Sequence, residues 1–232
     1  MNSTDGSVPA MSAWVAIAFL GGLGAACAPP ARMCALEGDC GSQSACVASR
    51  CLGRGSVAAI ASARRLLFSP VDEAYIRRGD APGRPPESAT LGRPGGALLL
   101  LRFAIDLPPE ANVIEAYLLL ERAPDVDTDP TPIALHVERV TEPWDGRSVS
   151  WARQPHLDEI GTPIASVRLP SGRRDMRLDV RSLVQRWARR SRDEFGIAVV
   201  AQGESATGVT LVMAPGPSAS EAAGPRLELY VK

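Results

Sequence analysis

Apolar and polar residues alternate most regularly over Ile133-Ala134-Leu135-His136-Val137-Glu138-Arg139-Val140, the period-2 habit of a strand buried on one face. Ile133, Leu135 and Val137 then point to a core, with His136 and Glu138 on the polar side. Residues 209–213 and 227–231 show the same habit. Residues 98–103 are apolar almost without a break and belong in the middle of a sheet, with Arg102 facing out or paired. Further strands are predicted over 66–69, 73–76, 98–105, 113–121, 133–140, 165–169, 177–178 and 197–201, divided by Pro- and Gly-rich stretches at 81–86, 124–132 and 214–224. Many short strands punctuated in this way mark a sandwich.

One segment has helical spacing instead. Val180, Leu183, Val184 and Trp187 fall at i, i+3, i+4 and i+7 on one face. Asp179 stands where a cap accepts the first free backbone N–H groups, and several arginines sit near the C-terminal end, where positive charge suits the helix dipole. A helix over 179–190 is expected to plug one end of the sandwich. No internal repeat and no long low-complexity tract interrupts the pattern. The loops flanking 125–129 and 203–207 are the expected functional ground, because binding groups usually sit on loops that a rigid scaffold positions.

The N-terminal third is organised differently. Residues 13–26 form an apolar run shorter than the roughly 20 residues a bilayer span needs, and the run ends in Gly24-Ala25-Ala26 before Cys27. This predicts a secretory signal over 1–26. Leu23-Gly24-Ala25-Ala26-Cys27 is similar to a relaxed bacterial lipobox, in which Cys27 becomes the acylated first residue of a lipoprotein. An ordinary cleaved signal with an incidental cysteine is the alternative, since no Lys or Arg precedes Arg32; Met1 and Met11 both stay open as starts. Cys34, Cys40, Cys46 and Cys51 form an even set. In an exported chain they are expected to close two disulfides, with all three pairings open. A zinc site would want C-x-x-C pairs, which these four- and five-residue gaps lack. The chain thus divides into a signal (1–26), a Cys-rich segment (27–55), an Ala-rich helix or linker (56–65) and a main domain (66–232).

With 232 residues, 45% of them apolar, the chain can bury a real core. The formal net charge is −1, and Lys232 is the only lysine among 25 basic residues. Nucleic acid is therefore not expected as a partner.

Candidate chemistry is sparse. The two histidines, His136 and His156, stand apart, and the sequence holds no G-x-S-x-G elbow, H-E-x-x-H, Walker A loop or C-x-x-C pair. Glu115, Glu121, Glu138 and Glu142 lie on or near strands, where solvated positions explain them as well as paired-carboxylate catalysis does. No catalytic residue is expected. Asp125, Asp127 and Asp129 alternate in a Pro-bounded loop, a spacing that places carboxylates round a structural calcium; a solvated acidic turn competes with it. No other cofactor is expected. Arg173, Arg174 and Arg177 form one basic cluster and Arg186, Arg189, Arg190 and Arg192 a second. Guanidinium forks match carboxylates two-pronged, as on an acidic polysaccharide, although solvated surface accounts for them too. Trp187 and Trp151 are expected in the core, while Trp144 is open between core and stacking on a sugar ring.

Several of these segments occur in a distinctive order: Leu99-Leu100-Leu101-Arg102-Phe103-Ala104-Ile105-Asp106, then Trp144-Asp145-Gly146-Arg147-Ser148-Val149-Ser150-Trp151, then Asp179-Val180-Arg181-Ser182-Leu183-Val184-Gln185-Arg186-Trp187. Phe195-Gly196-Ile197-Ala198-Val199 and the closing Pro225-Arg226-Leu227-Glu228-Leu229-Tyr230 follow. In this order residues 66–232 resemble the DNRLRE domain, a bacterial and archaeal extracellular β-sandwich related to carbohydrate-binding modules. The most specific part is Thr141-Glu142-Pro143-Trp144 with Trp151 seven residues on. The resemblance implies an all-β, jelly-roll-like antiparallel sandwich with one short helix, preceded here by the disulfide-rich segment. It also implies a polysaccharide ligand.

The expectation is an exported protein, held at the outer membrane or cell surface by a lipid on Cys27, that binds polysaccharide through Trp144, Arg173 and Arg174 without catalysis. Two rivals stand beside it. Residues 178–187 followed by Gly196-Ile197 also look distantly similar to growth-factor propeptides, which predicts a protein-binding or structural module with an exposed apolar patch. A polysaccharide-cleaving enzyme predicts close carboxylates with raised pKa in a cleft.

Overall fold

Continuous apolar strands need cover on both faces and alternating strands on one, and the observed architecture supplies both. A computed structural model describes residues 40–47, 50–53, 55, 60, 62–83, 86–108, 110–123, 134–158, 165–168, 175–189, 194–204, 208–213 and 224–232. Their strands are β1 (Ser44–Val47), β2 (Arg50–Gly53), β3 (Arg64–Phe68), β4 (Pro70–Arg77), β5 (Ser88–Leu91), β6 (Ala97–Phe103), β7 (Val113–Glu121), β8 (Ala134–Arg139), β9 (Ala165–Arg168), β10 (Asp175–Asp179), β11 (Ile197–Gln202), β12 (Val209–Val212) and β13 (Arg226–Val231). One helix, α1 (Arg181–Arg189), lies between β10 and β11.

Two antiparallel sheets make the sandwich. One runs β10-β7-β13-β3 and the other β4-β6-β11-β8-β9, with a β12-β5 ribbon alongside. Leu99, Leu101 and Phe103 of β6, Leu135 and Val137 of β8 and Ile197 and Val199 of β11 meet Ala116, Leu118 and Leu120 of β7 and Leu227, Leu229 and Val231 of β13 in one buried cluster. Leu183, Val184 and Trp187 close that cluster from α1. The cap is as predicted: the Asp179 carboxylate accepts the Arg181 N–H at 3.0 Å. Asp179 itself stays in β10, however, so the helix begins at Arg181. The side chain of Gln185 reaches back to the Val113 carbonyl at 2.8 Å, tying α1 to the start of β7. The fold is an all-β antiparallel sandwich with one short helix.

Before it stands a small hairpin. β1 and β2 pair antiparallel with Cys46 opposite Cys51 in register, and Cys51 is bridged to Cys40, their Cα atoms 5.3 Å apart. A segment this short buries little apolar surface, and a covalent cross-link supplies what a core cannot.

Three strands, β1, β2 and β5, escape the apolar pattern. The hairpin β1-β2 is held by turn and disulfide and not by periodicity. β5 is only Ser88-Ala89-Thr90-Leu91, too short to show a period, yet Ala89 and Leu91 are wholly buried because it pairs with β12 across more than a hundred residues of chain. Residues 104–105, predicted as the end of β6, leave the sheet at Phe103.

Candidate functional site

The outer face of the five-stranded sheet is not left to solvent. Ala74 and Ile76 of β4, Leu98 and Leu100 of β6 and Ala198 of β11 form a second apolar cluster there. Its cover is the segment 140–158, whose base is closed by backbone bonds: Thr141 N–H to the His156 carbonyl at 3.0 Å and Asp158 N–H to the Arg139 carbonyl at 2.9 Å. An Arg139–Asp158 ion pair at 2.9 Å and a 2.7 Å bond from His156 N–H to the Glu142 carboxylate reinforce that base. Val140, Trp144 and Val149 then insert into the cluster, with Trp151 and Leu157 against it. Segment 140–158 is thus a compact loop whose ends meet and whose own side chains fill it.

This fixes the role of Trp144. Open in the sequence between core and sugar platform, it is 8% exposed, its indole N–H donates to the Phe195 carbonyl at 2.6 Å, and the Arg102 guanidinium lies 5.6 Å from its ring centroid. A ring so covered offers no face to a ligand, so the stacking role expected of Trp144 is corrected to a structural one. Trp151 is half-buried, with the Arg78 guanidinium 5.5 Å from its ring centroid and the backbone of Gly96 pressed against its edge. Gly96 has φ of 74°, and a Cβ there would meet the Trp151 ring at 2.8 Å. Trp187 is buried in the main core, as expected.

Arg102, between apolar neighbours on β6, projects to the same outer face and is paired. Its terminal nitrogen lies 2.8 Å from the Asp72 carboxylate, which also accepts the Gly146 N–H at 3.3 Å. Gly146 is required here by close approach, since a Cβ would run into the Asp72 side chain and the Glu73 carbonyl. Glu194, just before β11, adds a third charged group. Burial raises its carboxyl from 4.5 to about 7, against the opposing pull of Arg102. One Glu194 oxygen (Oε1) and the Arg102 Nε are both buried without a hydrogen-bond partner.

Two clefts lie along β4, the first of them beside this cluster. A cleft of about 500 Å³ is lined by Pro70, Val71, Asp72, Glu73, Gly146 and Arg147. The β4–β6 register slips between Pro70 and Asp72, and Val71 stands at that bulge 61% exposed. A wider groove of about 610 Å³ lies against β4, β5 and the turn before β6. Its polar lining includes Tyr75, Arg77, Asp80, Ser88, Thr90 and Arg93. Arg77 and Asp80 form a two-pronged pair at 3.1 and 3.0 Å, and the Tyr75 hydroxyl donates to the Thr90 carbonyl at 2.8 Å. The Tyr75 hydroxyl is held protonated above its ordinary range, mainly by burial. These groups sit on strands and a tight turn, so their positions are set before any ligand arrives.

Arg173, Arg174, Asp125, Asp127, Asp129, Cys27 and Cys34 lie outside the described residues. Arg177, grouped with Arg173 and Arg174 in the sequence, is on the opposite sheet. There it and Arg65 clamp the wholly buried Glu228 at 2.7 and 2.6 Å, and Arg177 lies 5.6 Å from the Tyr117 ring centroid. Among the described residues, no group of three or more His, Cys, Asp or Glu is placed to hold a metal ion, and no helix is long and apolar enough to cross a membrane. Tyr75, Arg77, Asp80 and Arg93 were not singled out from the sequence. Their one signal is the dense Pro-Gly punctuation at 79–96, which marks a built loop region.

Set against known proteins, the chain matches no family model and no curated protein.

Proposed function

We propose that this is an exported surface protein, anchored by a lipid on Cys27, whose sandwich binds polysaccharide in the groove between β4 and β5 and does no chemistry on it. The observation that carries the reading is the groove itself: about 610 Å³ of open space with a tyrosine, two hydroxyl side chains, an Arg–Asp pair and a further arginine on a rigid wall. That volume lies within the ~300–1,000 Å³ typical of small-ligand sites. A saccharide offers alternating hydroxyl donors and acceptors with an apolar ring face, and Asp80, Arg77, Ser88, Thr90 and Tyr75 offer their complements. The resemblance of 66–232 to the DNRLRE domain supports the same ligand class. The Cys40–Cys51 bridge and the apolar run before Cys27 support export.

Cleavage of the polysaccharide is the weaker alternative. It needs two carboxyl groups flanking the scissile bond, and Glu194, whose proton affinity suits a general acid, lines neither cleft. A protein partner would favour a broad apolar patch. Among the described residues the large apolar side chains standing exposed are Leu67 and Val71.

Full-length protein titrated against neutral and acidic polysaccharides, with calcium and with chelator, tests the reading. Saturable binding that weakens at least about tenfold in Asp80→Ala and Arg93→Ala is expected, about 1.4 kcal/mol. Binding that ignores both substitutions removes the groove from consideration, and absence of binding across the panel rejects the polysaccharide ligand and leaves the protein-binding or structural reading. Release from membranes by Cys27→Ser is expected for the anchor; unchanged retention rejects it.

A further inference from the structure

On the outer face of the five-stranded sheet, one guanidinium stands between two carboxyl groups of unequal situation. Asp72 on β4 has its partners: the Arg102 terminal nitrogen at 2.8 Å and the Gly146 N–H at 3.3 Å. Glu194, entering β11, has a buried oxygen with no partner, and Arg102 is the group whose charge acts on it. Arg102 in turn keeps its Nε buried and unpartnered while its guanidinium lies over Trp144. A donor without an acceptor and an acceptor without a donor thus belong to the same small cluster, an arrangement that costs free energy until one form of Glu194 resolves it.

We infer that Glu194, Arg102 and Asp72 form a proton-controlled latch on the 140–158 loop, in which a neutral Glu194 leaves Arg102 to Asp72 and an ionised Glu194 draws Arg102 away from it. The loop responds because Asp72 holds it directly through Gly146 N–H and Arg102 holds it through the Trp144 ring. Loss of either grip loosens the cover over the second apolar cluster and alters the wall of the cleft that Asp72, Gly146 and Arg147 share. Burial places the changeover near neutral pH, at about 7. Other ionisable groups share the surroundings: His136 and Glu138 point to the same sheet face from β8, and Asp145 and Arg147 lie on the loop. The His136 ring nitrogen Nε2 is also buried without a partner, so it is the control that any pH series requires. The inference does not depend on what the groove binds.

Tryptophan emission of the full-length protein, followed through a pH series centred on about 7, reads the latch through Trp144; subtraction of the Trp144→Phe curve isolates that ring. One sigmoidal step near neutrality is expected in wild type and in His136→Gln. Glu194→Gln should lock the low-pH signal. Asp72→Asn leaves Glu194 as the sole carboxylate for Arg102, so its midpoint should fall by at least about one pH unit, a tenfold change in proton affinity. A step that survives Glu194→Gln, or one that disappears in His136→Gln, overturns the latch. Should Glu194→Gln fail to fold, hydrogen exchange of the wild-type Gly146 amide decides: protection that drops across the same midpoint supports the latch, and constant protection overturns it.

Discussion

The indole N–H of Trp144 donates a 2.6 Å hydrogen bond to the backbone carbonyl of Phe195, fifty-one residues away. It fastens the 140–158 loop to the entrance of β11 at the point where Glu194 and Gly196 flank the carbonyl. The most distinctive motif of the sequence is therefore a structural clamp that packs a third layer on the sandwich. Replacing Trp144 by Ala should destabilise the protein by about 3–5 kcal/mol, the usual cost of removing a buried large aromatic. Trp144→Phe keeps most of the packing but leaves the carbonyl unpaired, and should cost about 1–3 kcal/mol. Urea unfolding measures both. Equal losses in the two variants would mean that the hydrogen bond, and not the ring, dominates.

Gly146 touches Asp72 so closely that no side chain fits. Gly146→Ala should lower stability by about 1–3 kcal/mol through overpacking, while Gly203→Ala meets no neighbouring atom and strains only its backbone, at φ of 91°. A thermal scan of the two variants compares steric clash with backbone strain. A larger loss at Gly203 would show that the loop yields easily.

Stability should carry the mark of Glu194 with a definite sign. Below 4.5 both folded and unfolded chains hold its proton; between 4.5 and about 7 only the folded chain does, so stability from this source falls as pH rises and levels above 7. With the group only partly buried, the total is on the order of 2 kcal/mol. The difference between wild type and Glu194→Gln, taken from urea unfolding at several pH values, should trace that fall. A difference that is flat or rises with pH contradicts it.

Cys40 and Cys51 are joined, which leaves Cys34 and Cys46 as the remaining members of the even set. Peptide mapping of the oxidised protein without reduction should recover two linked pairs, Cys40–Cys51 and Cys34–Cys46. A free thiol on Cys46 would show that the Cys-rich segment closes with one bridge.

The sequence by itself determined the strands that have room to show a period. β8, β12 and β13 were legible because a face that must be buried repeats every second residue, β6 because its apolar run is nearly unbroken, and α1 because four apolar residues share one helical face. Turn chemistry between them, together with the even cysteine count, was enough for an antiparallel sandwich with a cross-linked segment before it. Tertiary structure alone decided what covers what. β5 exists because β12 lies beside it, not because four residues prefer a strand. Trp144 looks the same in sequence whether it meets a sugar or a sheet; only the return of 140–158 over Leu98, Leu100 and Ala198 turns its ring inward. The groove residues Tyr75, Arg77, Asp80 and Arg93 carry ordinary surface chemistry individually, and their convergence depends on how β4, β5 and the turn before β6 are stacked. Burial and pairing are long-range properties, so the proton affinity of Glu194 and the partner of Arg102 had no local signal to read.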